Sequence, residues 1–570
     1  MKNKITGLNF LKLIQNLFLL ILGLSLVLLE HPNRINNEGF GFLAWISYIP
    51  ILFLIQKNSL KHIWYYGLIY GFFYGFFYFF WLRNYDSYGI YAISLYFTIV
   101  MCLFFISLKA IHLLNDSFFW LNAWIFICSF EYICTKGFMG LGFVVSAYSL
   151  WKNTILLQFC SFTGVFGLNL LVIFPSCCIF GFISKLKQRK RVLFERDHDD
   201  EFYDCKTHVN YVSKYDRQLK KIGLQFTVIG AIVYGCCLCS VIVTGIISVK
   251  KKTASDQTVK IAAVQINEDP FENGIEVYRK NVQRLLSISD NLLELYPNVD
   301  MIVWPETAVV PAIVYQYESK KDEKRYKLVD WILSYLNNQN ATFVIGNGHT
   351  VLDDDVKTRY NSALVFTPGK NVIPPNPEVY SKNHLVPFSE YFPFEKILPR
   401  FTALVKKLEP DMWTPGSEIK VFQLKDLYYS TPICFEDNFS DICREMYKKG
   451  ARCFINLSND SWSKSIVCQY EHLAMAVFRC VENKIPAIRC TTSGMTCMID
   501  ENGKVQKIVP AFSENYLLAE VPVISKNRKP TFYNKTGDFC GYGSCIVFGI
   551  LLLIQLILVI ISKKKTTAGE

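Results

Sequence analysis

The sequence predicts a polytopic α-helical membrane bundle, with about eight crossings in all, joined to one water-soluble α/β domain. Three observations predict it. Residues 1–250 hold long apolar runs with few charges. Residues 257–525 mix apolar and polar residues as an ordinary globular domain does. Within that second region, strand-like and helix-like patterns alternate. A last apolar run, Tyr542 to Ser562, ends at Lys563-Lys564-Lys565. The 570 residues therefore divide into a membrane bundle (1–250), a soluble domain (257–525), a linker (526–541) and a C-terminal membrane helix (542–562).

Seven apolar runs precede the domain, near 9–29, 40–56, 62–82, 91–113, 118–137, 154–184 and 222–249. The second and fifth are the shortest of them for a hydrocarbon core that takes about 20 helical residues to cross. The first lacks a small-residue cleavage site and reads as a retained helix. Orientation follows from Lys and Arg. The loop Lys185 to Lys221 opens with a dense basic cluster, Lys185 to Arg191, and is expected in the cytoplasm with the N-terminus. The next crossing then delivers 257–525 to the outer face. Lys250-Lys251-Lys252 runs against the rule on that face. Glu131 is an ionisable group in or near a span, which marks either a functional site or an interfacial helix end.

The formal net charge of +12 is not a nucleic-acid signal, because no Arg-rich stripe or aromatic RNA-binding motif accompanies it. The 19 cysteines are odd in number, and many lie in membrane runs, so no disulfide framework is expected. Cys236 and Cys239 sit in an apolar run, and Cys205 and His208 have no second pair nearby. Zinc takes about four ligands, so no metal and no cofactor is expected.

The soluble domain opens with a buried strand pattern, Val259 to Ile266, then a helix near Gly274 to Leu295. Strand Asp300 to Glu306, a helix near Lys324 to Asn337, and strands Ala341 to Gly346 and Asn361 to Thr367 follow. Val421 to Tyr429 reads as one strand, and so does Ala451 to Leu457. A helix from Glu471 to Asn483 precedes three short strands, Ala487 to Thr491, Thr496 to Asp500 and Val505 to Val509. Asn502-Gly503 joins the last two as a hairpin turn. These strands are expected in a sheet covered by helices.

Three strand ends carry Glu306, Lys382 and Cys434, and sites in open α/β sheets form beyond such ends. The three types are complementary. A thiol attacks well only as the thiolate, a neighbouring carboxylate can take its proton, and an ammonium can hold an oxyanion. Each residue alone also fits a plainer role, an inert buried thiol or a surface ion pair.

Trp304-Pro-Glu306, Tyr380-Ser-Lys-Asn-His-Leu-Val-Pro-Phe388 and Pro432-Ile-Cys-Phe-Glu436 resemble the three catalytic segments of the carbon–nitrogen hydrolase (nitrilase) superfamily. Lys382 to Pro393, Ser458-Asn-Asp-Ser-Trp462 and Pro530 to Asp538 more narrowly resemble the apolipoprotein N-acyltransferases. The resemblance implies a nitrilase-like α-β-β-α sandwich between the bundle and the last helix. It also implies transfer of a fatty acyl chain from a phospholipid to the amine of a diacylglyceryl-cysteine on an apolipoprotein, through a thioester on Cys434. Glu306 would be the base, and Lys382 with the Phe435 N–H would hold the oxyanion. Glu390 and Glu436 would position Lys382 and the amine, and Trp462 would bind substrate. A monomer in a bacterial inner membrane, with its catalytic domain in the periplasm, is implied as well. The loop Glu390 to Trp413, with Phe392, Phe394, Leu398, Phe401 and Leu404, reads either as a lid on the outer leaflet or as core packing. His384 and His472 read as structural hydrogen-bonders. Two other functions fit the same residues. One is a membrane-anchored amidase or nitrilase acting on a small carbon–nitrogen substrate. The other is a non-catalytic lipid- or lipoprotein-binding protein.

Overall fold

A computed structural model describes residues 2–137, 139–196, 207–251, 257–353, 356–395, 397–400, 402–403 and 412–567. Cys205, and with it the spacing to His208, lies outside the described residues. So do Phe401 and Leu404.

Apolar runs become helices at Lys2–Glu30, Leu60–Tyr78, Gly89–Leu114, Phe119–Cys134, Cys160–Arg196, Thr207–Lys250 and Phe539–Thr567. Five of the eight expected crossings are long and apolar enough to span a bilayer: Phe10–Glu30, Gly89–Leu114, Cys160–Lys187, Ile222–Lys250 and Phe539–Ile557. The run 40–56 instead breaks into a 3-10 turn, Gly41–Trp45, and a nine-residue helix, Ile49–Lys57, with a proline in its first turn. Phe119–Cys134 has 16 residues, or about 24 Å, which is short of a hydrocarbon core of about 30 Å. Leu60–Tyr78 is rich in tyrosine. It packs along Gly89–Leu114 through a glycine stripe, and a Cβ on Gly71 would stand 2.2 Å from the Phe97 carbonyl oxygen. Glu131 is buried inside the bundle. Its carboxylate is buried and accepts from Tyr48, from the Ser146 amide and hydroxyl, and from Asn169, which ties four bundle segments together.

The C-terminal half contains twelve strands among the described residues. They are β1 (Thr258–Gln265), β2 (Met301–Val309), β3 (Thr342–Asp353), β4 (Val356–Phe366), β5 (Glu378–Ser381), β6 (Phe422–Leu424), β7 (Leu427–Ser430), β8 (Cys453–Ser458), β9 (Ala487–Thr491), β10 (Cys497–Ile499), β11 (Val505–Ile508) and β12 (Asn515–Pro522). They form two six-stranded sheets, ordered β12-β1-β2-β3-β4-β5 and β11-β10-β9-β8-β7-β6. At the centre of each sheet three strands run parallel, β1-β2-β3 and β7-β8-β9. The sheets face each other, with the Cys490 sulfur on β9 3.3 Å from carbonyl oxygens of both Val264 and Val303.

Helices cover the outer faces. Ile275–Leu295 and Glu323–Asn337 bury Leu285, Leu292, Ile332 and Leu336 against Ile302 and Phe343 of the first sheet. Ile466–Asn483 packs its apolar residues over the second sheet and against the membrane helix Cys160–Arg196. The layers are therefore helix, sheet, sheet, helix, with the bundle stacked on the last. Polar ties lock this junction. The Val165 amide donates to Glu482 at 3.0 Å, and Trp81 Nε1 donates to Glu471 at 3.0 Å.

The two facing sheets are those of the expected sandwich, and two other expectations change. Val421–Tyr429 is a hairpin, β6 and β7, because Lys425 takes φ +51° and turns the chain. Strand β12 was not expected. It pairs antiparallel with β1 along its whole length, Thr258 opposite Pro522 to Gln265 opposite Asn515, and so brings both ends of the domain to one side.

Candidate active site

Cys434 stands four residues beyond β7, at φ +49°, and opens a 3-10 turn, Cys434–Asn438. A non-glycine residue rarely adopts that backbone conformation unless its surroundings impose it. Here the Cys434 carbonyl accepts from Asn456 Nδ2 at 3.3 Å and lies 3.2 Å from His472 Nε2. His472 is itself fixed between two carboxylates, with Nδ1 2.9 Å from Asp460 and Nε2 2.8 Å from Asp437. Arg489 pairs with Asp437 from the other side. Burial works against the His472 cation, but Asp460 and Asp437 outweigh it and raise its pKa to about 9. The nucleophile loop thus rests on a buried charged network.

Glu306 sits where the β2–β3 ladder loses register after Trp304. Pro305 has no N–H to give the ladder, and Thr307 takes φ +49°. Gly346 on β3 lets the two strands stay close there, since a Cβ at that position would meet the Glu306 Cα at 2.5 Å. Glu306 Oε1 accepts from Asn361 Nδ2 at 2.8 Å, and Oε2 accepts from the Asn459 amide at 2.9 Å. Cys434 and Glu306 are close enough for each to shift the other's protonation.

Lys382 follows β5 directly, and its ammonium is fully buried. Its Nζ lies 2.8 Å from Glu390 Oε1 and 3.5 Å from Glu306 Oε1. Burial raises the Glu306 pKa, an effect that Lys382 opposes and Glu390 reinforces. Burial likewise disfavours the Lys382 cation, but Glu390 and Glu306 outweigh it and hold the ammonium charged. Burial and the Glu306 charge keep the Cys434 thiol well above its usual pKa, with Lys382 opposing. Burial thus favours a neutral thiol beside Glu306 and the Lys382 ammonium.

The structure thus brings Glu306, Lys382, Cys434 and Glu390 together. Glu436 lies behind them, fully buried. Its oxygens accept from the Tyr380 hydroxyl and from the amides of Asn383, His384 and Ile433, which binds the segment after Lys382 to the segment before Cys434. Burial brings its pKa to about 7 despite those amides. Phe435 is the second residue of the 3-10 turn, where an amide has no acceptor within the turn. Its ring stacks 6.2 Å from Phe143 of the bundle. Trp462 is edge-on to Trp81 and Tyr85, both from the link between two bundle helices, at 5.4 and 5.5 Å. In the Glu390–Trp413 loop the two ends are tied by the Trp413 amide and the Glu390 carbonyl at 2.9 Å, and Ile397 and Leu398 are exposed. No cluster of metal-ligating side chains occurs among the described residues.

Sequence reasoning missed Asn361, which donates to Glu306 and also to Glu390 at 3.2 Å. It missed Asn456 as well, and it missed the carboxylates Asp437 and Asp460 that hold His472, which does act as the structural hydrogen-bonder expected. Asn456 does leave a signal, as an amide inside the otherwise apolar run Cys453 to Leu457, where a buried polar group needs a specific partner.

Two facing sheets flanked by helices, with a Cys, a Glu and a Lys at their strand ends, define a carbon–nitrogen hydrolase domain, here carried on a membrane bundle. The sequence model of the carbon-nitrogen hydrolase family matches residues 260–525, and that of the apolipoprotein N-acyltransferase N-terminal domain matches residues 23–178. Apolipoprotein N-acyltransferase 1 of Treponema denticola is 36% identical over 99% of this chain and 98% of its own. Apolipoprotein N-acyltransferase 1 of Treponema pallidum is 34% identical over 94% of each. The chain belongs to the apolipoprotein N-acyltransferase family. Among solved structures, Nit3 of Saccharomyces cerevisiae, of the nitrilase superfamily, aligns at 18% identity and TM-score 0.35 over 48% of this chain and 93% of its own.

Proposed function

We propose that the protein transfers a fatty acyl chain from a membrane phospholipid to the α-amine of the diacylglyceryl-cysteine that begins an apolipoprotein. The transfer runs in two stages. Glu306 takes the Cys434 proton, and the sulfur attacks the carbonyl of a phospholipid acyl ester. Lys382 and the Phe435 amide hold the oxyanion. The ester C–O bond breaks, Glu306 returns the proton to the departing oxygen, and a lysophospholipid leaves a thioester on Cys434. The apolipoprotein amine then attacks that thioester. Glu306 takes the amine proton, the C–S bond breaks, and the sulfur regains a proton as the amide forms. A neutral resting thiol suits this order, since it is activated only when a base and an acyl group are both at hand.

The observation that carries the reading is the stacking of Phe143 from the bundle on Phe435, the residue next to the nucleophile. A site opening beside membrane helices suits two lipid-bearing substrates, whereas a small amide needs no such contact. Exposed Phe388, Ile397 and Leu398 give the site an apolar rim. The family resemblance supports a monomer in a bacterial inner membrane, and the charge pattern of its loops supports placing this site on the periplasmic face.

Incubation with phospholipid labelled in its acyl chains should leave label on the protein. That label should be released by hydroxylamine, be absent from Cys434→Ala, and pass to a diacylglyceryl peptide added afterwards. Turnover of small amides with no lipid-derived acyl-enzyme would replace this reading with an amidase.

A further inference from the structure

Lys250-Lys251-Lys252 breaks the charge rule for the outer side of a membrane protein, and the acyl-transfer chemistry does not use it. In the structure Lys251, just past the span Ile222–Lys250, lines a cleft of about 590 Å³ between that helix and the hydrolase domain. The domain side contributes Lys484, Arg528 and Lys529. Four cations thus face one acid, Glu501. None of the four forms an ion pair among the described residues. Lys484 is anchored only by neutral oxygens: Gln158 Oε1, Asn502 Oδ1 at 2.9 Å and Ser248 Oγ at 3.3 Å. The contacts to Gln158 and Ser248 cross from the domain to the bundle, and all three fix where the charge points without neutralising it. Burial lowers the Lys484 pKa to about 8, with Glu501 opposing. A half-buried ammonium held only by neutral acceptors is stabilised by an anion from outside.

We propose that this cleft binds a phosphate group, presented by the headgroup of an anionic phospholipid in the leaflet that borders the hydrolase domain. The cleft begins where a membrane span ends, at the depth of headgroups. Basic clusters beside a membrane span attract anionic headgroups. A phosphate here pairs with Lys251 of the membrane helix and with Lys484, Arg528 and Lys529 of the domain at once, so it staples the two parts together. The site is separate from the nucleophile. Lys484 caps the Ile466–Asn483 helix twelve residues after His472, which is about 18 Å along the helix.

The test uses the full chain in detergent as Cys434→Ala, which forms no thioester, so the result is independent of the proposed reaction. Native mass spectrometry follows binding of phosphatidylglycerol, phosphatidylcholine and inorganic phosphate. Phosphatidylglycerol should bind more tightly than phosphatidylcholine. Adding Lys251→Ala and Lys529→Ala, both exposed positions, should weaken phosphatidylglycerol about 10-fold or more. Lys324→Ala with Lys327→Ala, on an exposed helix face, should leave it unchanged. Equal phosphatidylglycerol binding with and without the Lys251 and Lys529 changes overturns the site. Inorganic phosphate bound as tightly as the lipid overturns the headgroup as its source.

Discussion

Lys382 Nζ donates to Glu390 Oε1 at 2.8 Å. The same ammonium stands 3.5 Å from Glu306, so Glu390 holds the cation off the proposed base. The Glu390 charge also pushes the Glu306 pKa up, which makes Glu306 the better proton acceptor.

Glu390→Gln removes that push and leaves Lys382 with one carboxylate, Glu306. The Glu306 pKa then falls. The acid limb of the acylation rate against pH should move to lower pH, and the plateau rate should drop at least ~10-fold through the weaker base. Rapid-quench measurement of acyl-enzyme formation across pH checks both. An acid limb that moved upward would contradict the geometry.

Asn361→Ala acts in the opposite direction. Asn361 Nδ2 donates to Glu306 at 2.8 Å and to Glu390 at 3.2 Å, and its bond to Glu306 lowers the Glu306 pKa. Without it the acid limb should move to higher pH. The loss leaves buried Glu306 and half-buried Glu390 each short of a donor, at a cost of roughly 1–3 kcal/mol. Thermal unfolding read beside the pH profile separates this stability loss from the shift in the limb.

That opposed pair shows where the sequence stopped being informative. Glu306, Lys382 and Cys434 were legible because each closes an apolar strand run with a chemically distinct residue. The central parallel strands were legible for the same reason, as buried β-branched runs. Asn361 was not, because its value lies in bridging two carboxylates that are distant in sequence. Strand β12 was missed because the apolar run Leu517-Leu518-Ala519 blurs in sequence the alternation by which Leu517, Ala519 and Val521 turn inward. Nor did apolar length report the broken helix at Gly41–Lys57, where the sequence stays apolar through a 3-10 turn.

His472 should make stability depend on pH in alkali. Its pKa is raised to about 9 in the folded protein from an ordinary 6.5. The stabilisation is therefore complete below about 6.5 and is lost as pH rises through about 9. Its size is on the order of 3 kcal/mol. His472→Asn should melt lower than the parent near pH 6, and the gap should close by about pH 10. A constant gap across that range would mean that the imidazole is neutral between Asp460 and Asp437.

Glu471 gives the converse case, a buried acid with no cation beside it. Its Oε2 accepts from Trp81 Nε1 at 3.0 Å, which joins the hydrolase domain to the bundle. Burial raises its pKa well above the ordinary 4.5, and only the Trp81 bond opposes. Burial thus favours the neutral acid, and a glutamine has the same shape and the same carbonyl acceptor. A raised pKa means stability that is full below about 4.5 and declines as pH climbs toward the folded value. Glu471→Gln should match the parent in thermal unfolding near pH 5 and surpass it increasingly toward pH 8. Glu471→Leu, which leaves the Trp81 indole without an acceptor, should cost roughly 1–3 kcal/mol at every pH. A parent that gained on Glu471→Gln as pH rose would place a charged carboxylate at this junction, and the bundle–domain contact would then have to supply a cation to hold it.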